Sequence, residues 1–156
     1  VGIYPIEKLH DIVQNHVTKT SDTMLIKQFF QSSLNGDAYF MLSKQDAKRL
    51  AQLLFKKDDV EAKELECVAI EITNILTSAC IGQMAQMSSA RTIFLPPEIV
   101  QHERLLSLGS EDLKNFTQFM LVETKLNLES EGIAGQMLIL IGEGVLNIIL
   151  SGMPKI

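Results

Sequence analysis

The segment from about Asp59 to about Met87 constrains the fold most, because its pattern predicts one long helix. Asp58 is a suitable N-cap, and the first turns are acidic, which suits the positive end of the helix dipole. At about 100° per residue, one broad face of this helix is apolar and needs a packing partner. That face comprises Val68, Ala69, Ile72, Ile75, Leu76, Ala79 and Cys80.

Predicted strands lie on both sides of this helix in the sequence. Asn35-Gly36 separates two apolar segments, and Asn-Gly is typical of a tight β-hairpin because both residues accept positive φ. Later in the chain, Ser130-Glu131-Gly132 is predicted to turn between two further strands. The strands are predicted at Gly2–Pro5, Met24–Leu34, Asp37–Leu42, Thr92–Leu95, Phe116–Leu128 and Ile133–Ile141.

Shorter helices complete the pattern. Ser43 as N-cap, with Asp46 in the third helical position, predicts a helix over Lys44–Phe55. Its buried face is predicted to contain Ala47, Leu50, Ala51 and Leu54. A weak helical period covers Ile6–His16, a polar connection with helical pieces covers Glu98–Asn115, and a short helix is predicted at Glu143–Leu150.

The order of these elements predicts the fold class. Long strands joined by tight turns indicate antiparallel pairing. Helices that fall between groups of strands favour an α+β fold, with a mostly antiparallel sheet packed against long helices, over a doubly wound parallel sheet. The 156 residues are enough for one domain, so a single domain over residues 1–156 is expected.

Charge and composition exclude several classes of protein. The net charge is −5 and the basic residues are dispersed, so no nucleic-acid surface is predicted. Apolar runs such as Met137–Ile141 are too short to span a bilayer, and no membrane insertion and no signal peptide are predicted. Cys67 and Cys80, 13 residues apart in one predicted helix, are too distant for a disulfide, which favours a reducing, cytoplasmic location.

One group of polar residues on the long helix is a candidate reactive site. Glu71 and Asn74 have i, i+3 spacing, so their side chains are neighbours, and Ser78 falls in the same narrow stripe. Ile70 and Ile81 flank the stripe, where a lone soluble helix should be polar. This arrangement suggests either a docking surface or a surface that another part of the same chain covers.

An amide and a carboxylate suit one kind of reaction. The amide of Asn74 can both donate to and accept from a water molecule, holding it in line with an electrophile. A carboxylate such as Glu71 can pair with a lysine of a partner protein and fix the docked geometry. Neither residue is a convincing nucleophile, so the pair suits water positioning during hydrolysis of an already activated group. No histidine pair has the spacing of a zinc site, and no metal ligands are predicted in this chain.

The segment Cys67–Leu76, with the sequence CVAIEITNIL, resembles the signature helix of the CheC/CheX/FliY family of bacterial chemotaxis phosphatases. The core of that helix reads Glu-Ile-Gly-Asn-Ile or similar, and its Glu and Asn form the catalytic pair. Asn35–Leu42, followed by Ser43 and Ala47, looks like the strand and helix entry of the family, and Phe119–Leu140 looks like its final hairpin.

The resemblance implies a CheC-like fold and hydrolysis of the aspartyl phosphate on a CheY-like response-regulator receiver domain. Asn74 would orient the attacking water, and Glu71 would contact the conserved lysine of the regulator. The magnesium ion of this reaction belongs to the regulator, so no cofactor is expected in this chain. Residues around the pair are expected to contact the partner: Ile70, Thr73, Thr77, Ser78 and Ile81.

Two features depart from the family pattern. Thr73 stands where the family has glycine, and its β-branched side chain would hinder close approach of a partner. A second Glu-x-x-Asn helix, which CheC-type members carry before the first strand, is expected to be absent or to lie outside the given sequence, since this sequence starts in that strand, at Val1–Pro5. The loss of that helix would leave apolar surface on the long helix, which a homodimer would cover.

Three functions follow from this pattern. The first is a phosphatase for a phosphorylated receiver domain, with Glu71 and Asn74 as its working pair. The second is a receiver-binding or flagellar-switch-type module of the same fold without catalysis. The third keeps the helix as part of the core and leaves its polar stripe to solvent.

Overall fold

The computed structural model describes residues 2–17, 23–31, 36–87, 91–101, 113–114, 116–128 and 131–141. The predicted turn residue Asn35 and the predicted helix Glu143–Leu150 lie outside these residues. The helices are α1 (Leu9–Val17), α2 (Lys44–Phe55) and α3 (Ala62–Met87). The strands are β1 (Gly2–Pro5), β2 (Thr23–Gln31), β3 (Gly36–Ser43), β4 (Ile93–Phe94), β5 (Glu98–Val100), β6 (Gln118–Leu128) and β7 (Glu131–Ile141).

Within the described residues, seven strands form one antiparallel sheet in the order β1-β6-β7-β3-β2-β4, with β5 also paired to β2. Both predicted hairpin pairings are present, since β2 pairs with β3 and β6 pairs with β7. The tight Asn35-Gly36 turn is corrected: Gly36 lies in β3, pairs with Phe30 and does not have a positive φ. The predicted α+β class, with a mostly antiparallel sheet packed against long helices, is confirmed.

Helices cover both faces of this sheet. Alternate residues of a strand point to opposite faces, so Ile26 and Phe40 pack with α2 and α3, whereas Leu25 and Tyr39 pack with α1. Because the central strands are buried on both faces, they are apolar almost throughout and show little alternation in the sequence. The sheet therefore provides the broad packing surface that the long helix requires.

The junction between α2 and α3 differs from the prediction. The Ser43 hydroxyl accepts a hydrogen bond from the Asp46 N–H at 3.0 Å, which confirms the predicted cap of α2. The helix α3, however, begins at Ala62, and Asp58 does not cap it. Glu64 accepts a hydrogen bond from the Glu61 N–H at 3.2 Å and pairs with Lys57 Nζ at 2.8 Å, so these contacts define the start.

Three other local predictions are wrong. Leu54 is exposed, because the buried face of α2 ends at Ala51. Glu131 and Gly132 pair with β6 instead of forming the turn, so only two residues separate β6 from β7. A short strand, β5, occupies the start of the predicted polar connection, and three residues are too few to show a strand period.

The helix α3 is also long and apolar enough to pass a test for a membrane span based on length and composition alone, with a mean hydropathy of 1.4 over Ala62–Gln86. Core helices of soluble proteins pass the same test. In this structure Val68, Ala69 and Ile81 are buried in the cluster that includes residues of β2, β3 and α2, so one side of α3 packs against the rest of the chain.

Candidate functional site

The helix α3 presents Glu71 and Asn74 on its outer side, one turn apart. Glu71 is exposed and Asn74 is half-buried. Within the part of the chain that the structure describes, the Glu71 carboxylate forms no ion pair with a basic side chain. The sequence predicts that the two side chains are neighbours on one face of the helix, and in the structure the acid is exposed whereas the amide is partly covered.

A buried glutamine beneath the helix holds Asn74. Gln28 lies on β2, is fully buried, and faces α3. Its Nε2 donates to Asn74 Oδ1 at 2.8 Å and to the Leu95 carbonyl oxygen at 3.0 Å. The Asn74 amide is therefore linked to the sheet and to the segment that follows β4.

The sequence analysis did not find Gln28 or Leu95. One signal was present: Gln28 shares the helix-facing side of β2 with Met24, Ile26 and Phe30, so it is a polar residue on an otherwise apolar face. A buried amide requires hydrogen-bond partners, but the sequence alone does not identify them.

Three of the predicted partner contacts are corrected by the structure. Thr73, Thr77 and Ile81 are 0–1% exposed, because they lie on the side of α3 that packs against the rest of the chain. The Thr73 hydroxyl donates to the Ala69 carbonyl oxygen at 2.7 Å, one turn earlier in the helix. These side chains therefore do not lie on a docking surface, and Thr73 does not obstruct an approaching partner.

The other predicted contacts, Ile70 and Ser78, are half-buried and border the pair, so their role in docking stays a prediction. The structure adds apolar side chains to this surface. Ile75 was predicted on the buried face but is 52% exposed. Leu95, whose carbonyl accepts from Gln28, is 42% exposed.

The chemistry of nearby groups is limited. Within the described residues, no group of three His, Cys, Asp or Glu side chains is placed to hold a metal ion. The thiols of Cys67 and Cys80 are free, with Cys67 exposed and Cys80 half-buried. Burial raises the pKa of the Cys80 thiol, so it is a poorer nucleophile than an exposed cysteine.

The sheet order and the helices on both of its faces place the chain in the CheC-like class of α+β folds. In particular, the structure is similar to the X-ray crystal structure of FliY from Thermotoga maritima, with a TM-score of 0.64 and 13% identity, over 96% of this chain and 80% of that chain. The complex of CheX with CheY, BeF3 and magnesium from Borrelia burgdorferi gives a TM-score of 0.49 and 10% identity, over 88% of this chain and 95% of that chain.

The sequence matches no protein-family model and no curated protein. The structural likeness establishes the fold, and the resemblance to the CheC/CheX/FliY family that the sequence predicts is confirmed at that level.

Proposed function

We propose that this chain is a phosphatase that hydrolyses the aspartyl phosphate of a CheY-like receiver domain. The observation that carries the proposal is the placement of an exposed Glu71 one turn before a half-buried Asn74 on α3, with the Asn74 amide oxygen accepting a hydrogen bond from Gln28. The CheC-like fold supports it, because the family resemblance assigns this pair of residues to this reaction.

The proposed reaction needs little acid–base help from this chain. An acyl phosphate is already activated, so a water molecule attacks phosphorus as the bond to the aspartyl oxygen breaks. The products are inorganic phosphate and a free aspartate, and the protons of the water leave with phosphate or pass to solvent. Asn74 holds the water in line, Glu71 pairs with a lysine of the receiver, and magnesium is supplied by the receiver.

The residue at position 73 is compatible with this function. From the sequence, the β-branched side chain of Thr73 was expected to hinder close approach of a partner. In the structure its side chain points inward, so the surface around the pair is not narrowed by it.

Hydrolysis is tested with a receiver domain phosphorylated by a small phosphodonor in the presence of magnesium. We expect the chain to accelerate phosphate release, and we expect Asn74→Ala to reduce the acceleration about a hundredfold but leave a measurable residual rate, because the water loses its anchor while the receiver still docks. Glu71→Gln should raise KM, since it removes the charge that pairs with lysine.

Two matched variants control for surface changes of the same kind. Asn15 is exposed on α1, on the opposite face of the sheet, and Glu66 is exposed on α3 outside the pair. Asn15→Ala and Glu66→Gln should both hydrolyse like the parent protein. Equal rates for Asn74→Ala and the parent would show that the pair is not the site.

A receiver-binding module without catalysis is the second candidate. The exposed apolar side chains of Ile75 and Leu95 favour it, because an apolar surface is sufficient for a partner to dock. Binding of this kind does not depend on a reaction at the Glu71-Asn74 pair. Stable binding of a phosphorylated receiver, with no increase in phosphate release, would support this function over the first. Either function implies the cytoplasmic location that the sequence predicts.

A further inference from the structure

We infer that Gln28 is a positioning residue that sets the orientation of the Asn74 amide, so that Asn74 presents its N–H donors, and not its carbonyl oxygen, to the attacking water. This inference rests on the proposed function for its catalytic consequence. The hydrogen bonds that carry it belong to this chain alone.

The Leu95 carbonyl fixes the orientation of the Gln28 amide. A backbone carbonyl oxygen only accepts hydrogen bonds, so the NH₂ group of Gln28, and not its Oε1, must face Leu95. The opposite orientation would place two acceptor oxygens in contact and would be repulsive. Gln28 Oε1 is buried and has no hydrogen-bond partner among the described residues, so the two bonds from Nε2 are what hold the amide.

The orientation of Gln28 then determines that of Asn74. The second hydrogen on Gln28 Nε2 requires an acceptor, and Asn74 Oδ1 lies 2.8 Å away. Because Oδ1 and Nδ2 lie on opposite sides of the carboxamide, the Asn74 NH₂ group points away from Gln28. Without Gln28, the two orientations of the Asn74 amide would be much closer in energy.

The orientation of the Asn74 amide affects how the attacking water is held. A donor N–H holds the water through one lone pair of its oxygen and leaves the second lone pair to attack phosphorus. A carbonyl oxygen would hold the water through a proton instead, and the water would take a different orientation. Correct alignment of reacting atoms is worth orders of magnitude in rate, so a freely rotating Asn74 amide should slow hydrolysis.

The kinetic test is Gln28→Met, which keeps an unbranched side chain of similar length but removes both hydrogen bonds. We expect kcat for a phosphorylated receiver to fall about tenfold, with KM unchanged because the docking surface is intact. In an Asn74→Ala background the same substitution should have no further effect on the residual rate. Gln52→Met is the control, since Gln52 Nε2 donates to the Asp58 carbonyl at 2.9 Å and makes no contact with Asn74.

An unchanged kcat in Gln28→Met would overturn the inference. An equal loss in the parent and Asn74→Ala backgrounds would overturn it too, because Gln28 would then act through general stability. Gln28→Asn is a second variant for the case in which Gln28→Met does not fold. Its amide is shorter by one methylene and cannot reach both acceptors, so the same fall in kcat is expected.

A spectroscopic measurement tests the hydrogen bonds without a receiver. In ¹⁵N-labelled protein, the Gln28 side-chain NH₂ protons should exchange slowly with solvent, and Gln28→Met should shift the Asn74 side-chain NH₂ resonances. Unshifted Asn74 resonances would overturn the role of Gln28, whatever the activity. A parent protein with the expected resonances but no hydrolysis of any receiver would overturn the proposed function instead.

Discussion

The side chain of Thr73 lies in the interior of the protein and not on its docking surface. Thr73 is fully buried, and its hydroxyl donates to the Ala69 carbonyl within α3. Where the family has glycine, this chain has a side chain that fills space between the helix and the sheet. The difference therefore concerns stability more than access to the pair.

Restoring the family residue tests this conclusion. We expect Thr73→Gly to lower the free energy of unfolding by about 2 kcal/mol, because it places glycine inside a helix and removes buried atoms. Phosphate release per folded molecule should stay within about twofold of the parent, since the surface is unchanged. Urea unfolding and the hydrolysis assay measure the two effects.

Thr73→Ala serves as the control for this substitution, because it removes the same hydroxyl and methyl groups but keeps Cβ and is a good helix former. It should be more stable than Thr73→Gly by about 1 kcal/mol. A marked gain in hydrolysis for Thr73→Gly would contradict the structure, since it would mean that Thr73 hinders the partner.

The two cysteines should differ in reactivity toward a thiol reagent. Cys67 is exposed, whereas burial raises the pKa of the Cys80 thiol. In the native protein at pH 8, we expect one thiol to react rapidly and the second slowly, because Cys80 is both less ionised and less accessible. Cys67→Ser should remove the fast phase, and Cys80→Ser should leave it; the opposite assignment would contradict the placement of α3.

At the scale of the helix, the direction in which α3 faces determines the site. The helix is apolar around most of its circumference, so several orientations on the sheet would bury a similar apolar area. In the structure Thr73 and Thr77 face inward and Ile75 faces outward. This rotation places Glu71 and Asn74 at the surface and brings Asn74 over Gln28.

The end of α2 offers a prediction about stability. Lys56 has φ 53° and ψ 46°, and it is the one non-glycine residue with positive φ among the described residues. An L-residue in the left-handed conformation is strained, and helices commonly end there with glycine. We expect Lys56→Gly to raise the free energy of unfolding by about 1 kcal/mol in urea unfolding.

Lys56→Ala is the matched control, because alanine keeps the Cβ atom that makes this conformation unfavourable. It should not be more stable than the parent. If Lys56→Gly and Lys56→Ala had equal stabilities, the residue would not adopt the left-handed conformation that ends α2.

At the scale of the whole molecule, the chain exposes apolar side chains around the candidate site. Ile75 and Leu95 lie beside Asn74, and Ile93 at the sheet edge is also exposed. Apolar side chains grouped at a functional surface are typical of sites that other proteins cover. A receiver domain and a second copy of this chain are the two occupants that the sequence predicts.

We therefore expect a homodimer when no receiver is present, because pairing buries these apolar side chains. Light scattering at micromolar concentration should give about twice the monomer mass of 17.4 kDa. Ile75→Lys should shift the equilibrium to monomer, whereas Leu54→Lys, at an exposed leucine of α2, should not. A monomer mass for the parent protein would count against the dimer.

The sequence by itself determined the elements and the nature of the site. The turn signals and the Ser43 cap act over a few residues, so the pairing of both hairpins and the bounds of α2 were predicted, although Gly36, Glu131 and Gly132 lie in strands and not in turns. The Glu71-Asn74 spacing is also local, since any helix places these side chains side by side. Boundaries set by weaker contacts, such as the start of α3 near Glu61, were predicted less well.

Only the tertiary structure decided which side of α3 is buried and which groups support the site. The helix α3 has apolar side chains on several sides, so the sequence does not identify the side that packs against the sheet. For this reason Thr73 was predicted at the surface but is buried, and Ile75 was predicted on the buried face but is exposed. Gln28 is 46 residues from Asn74 in the sequence, and no local pattern relates them. Their hydrogen bond exists because β2 and α3 pack together, and that packing depends on the shape and volume of the whole core.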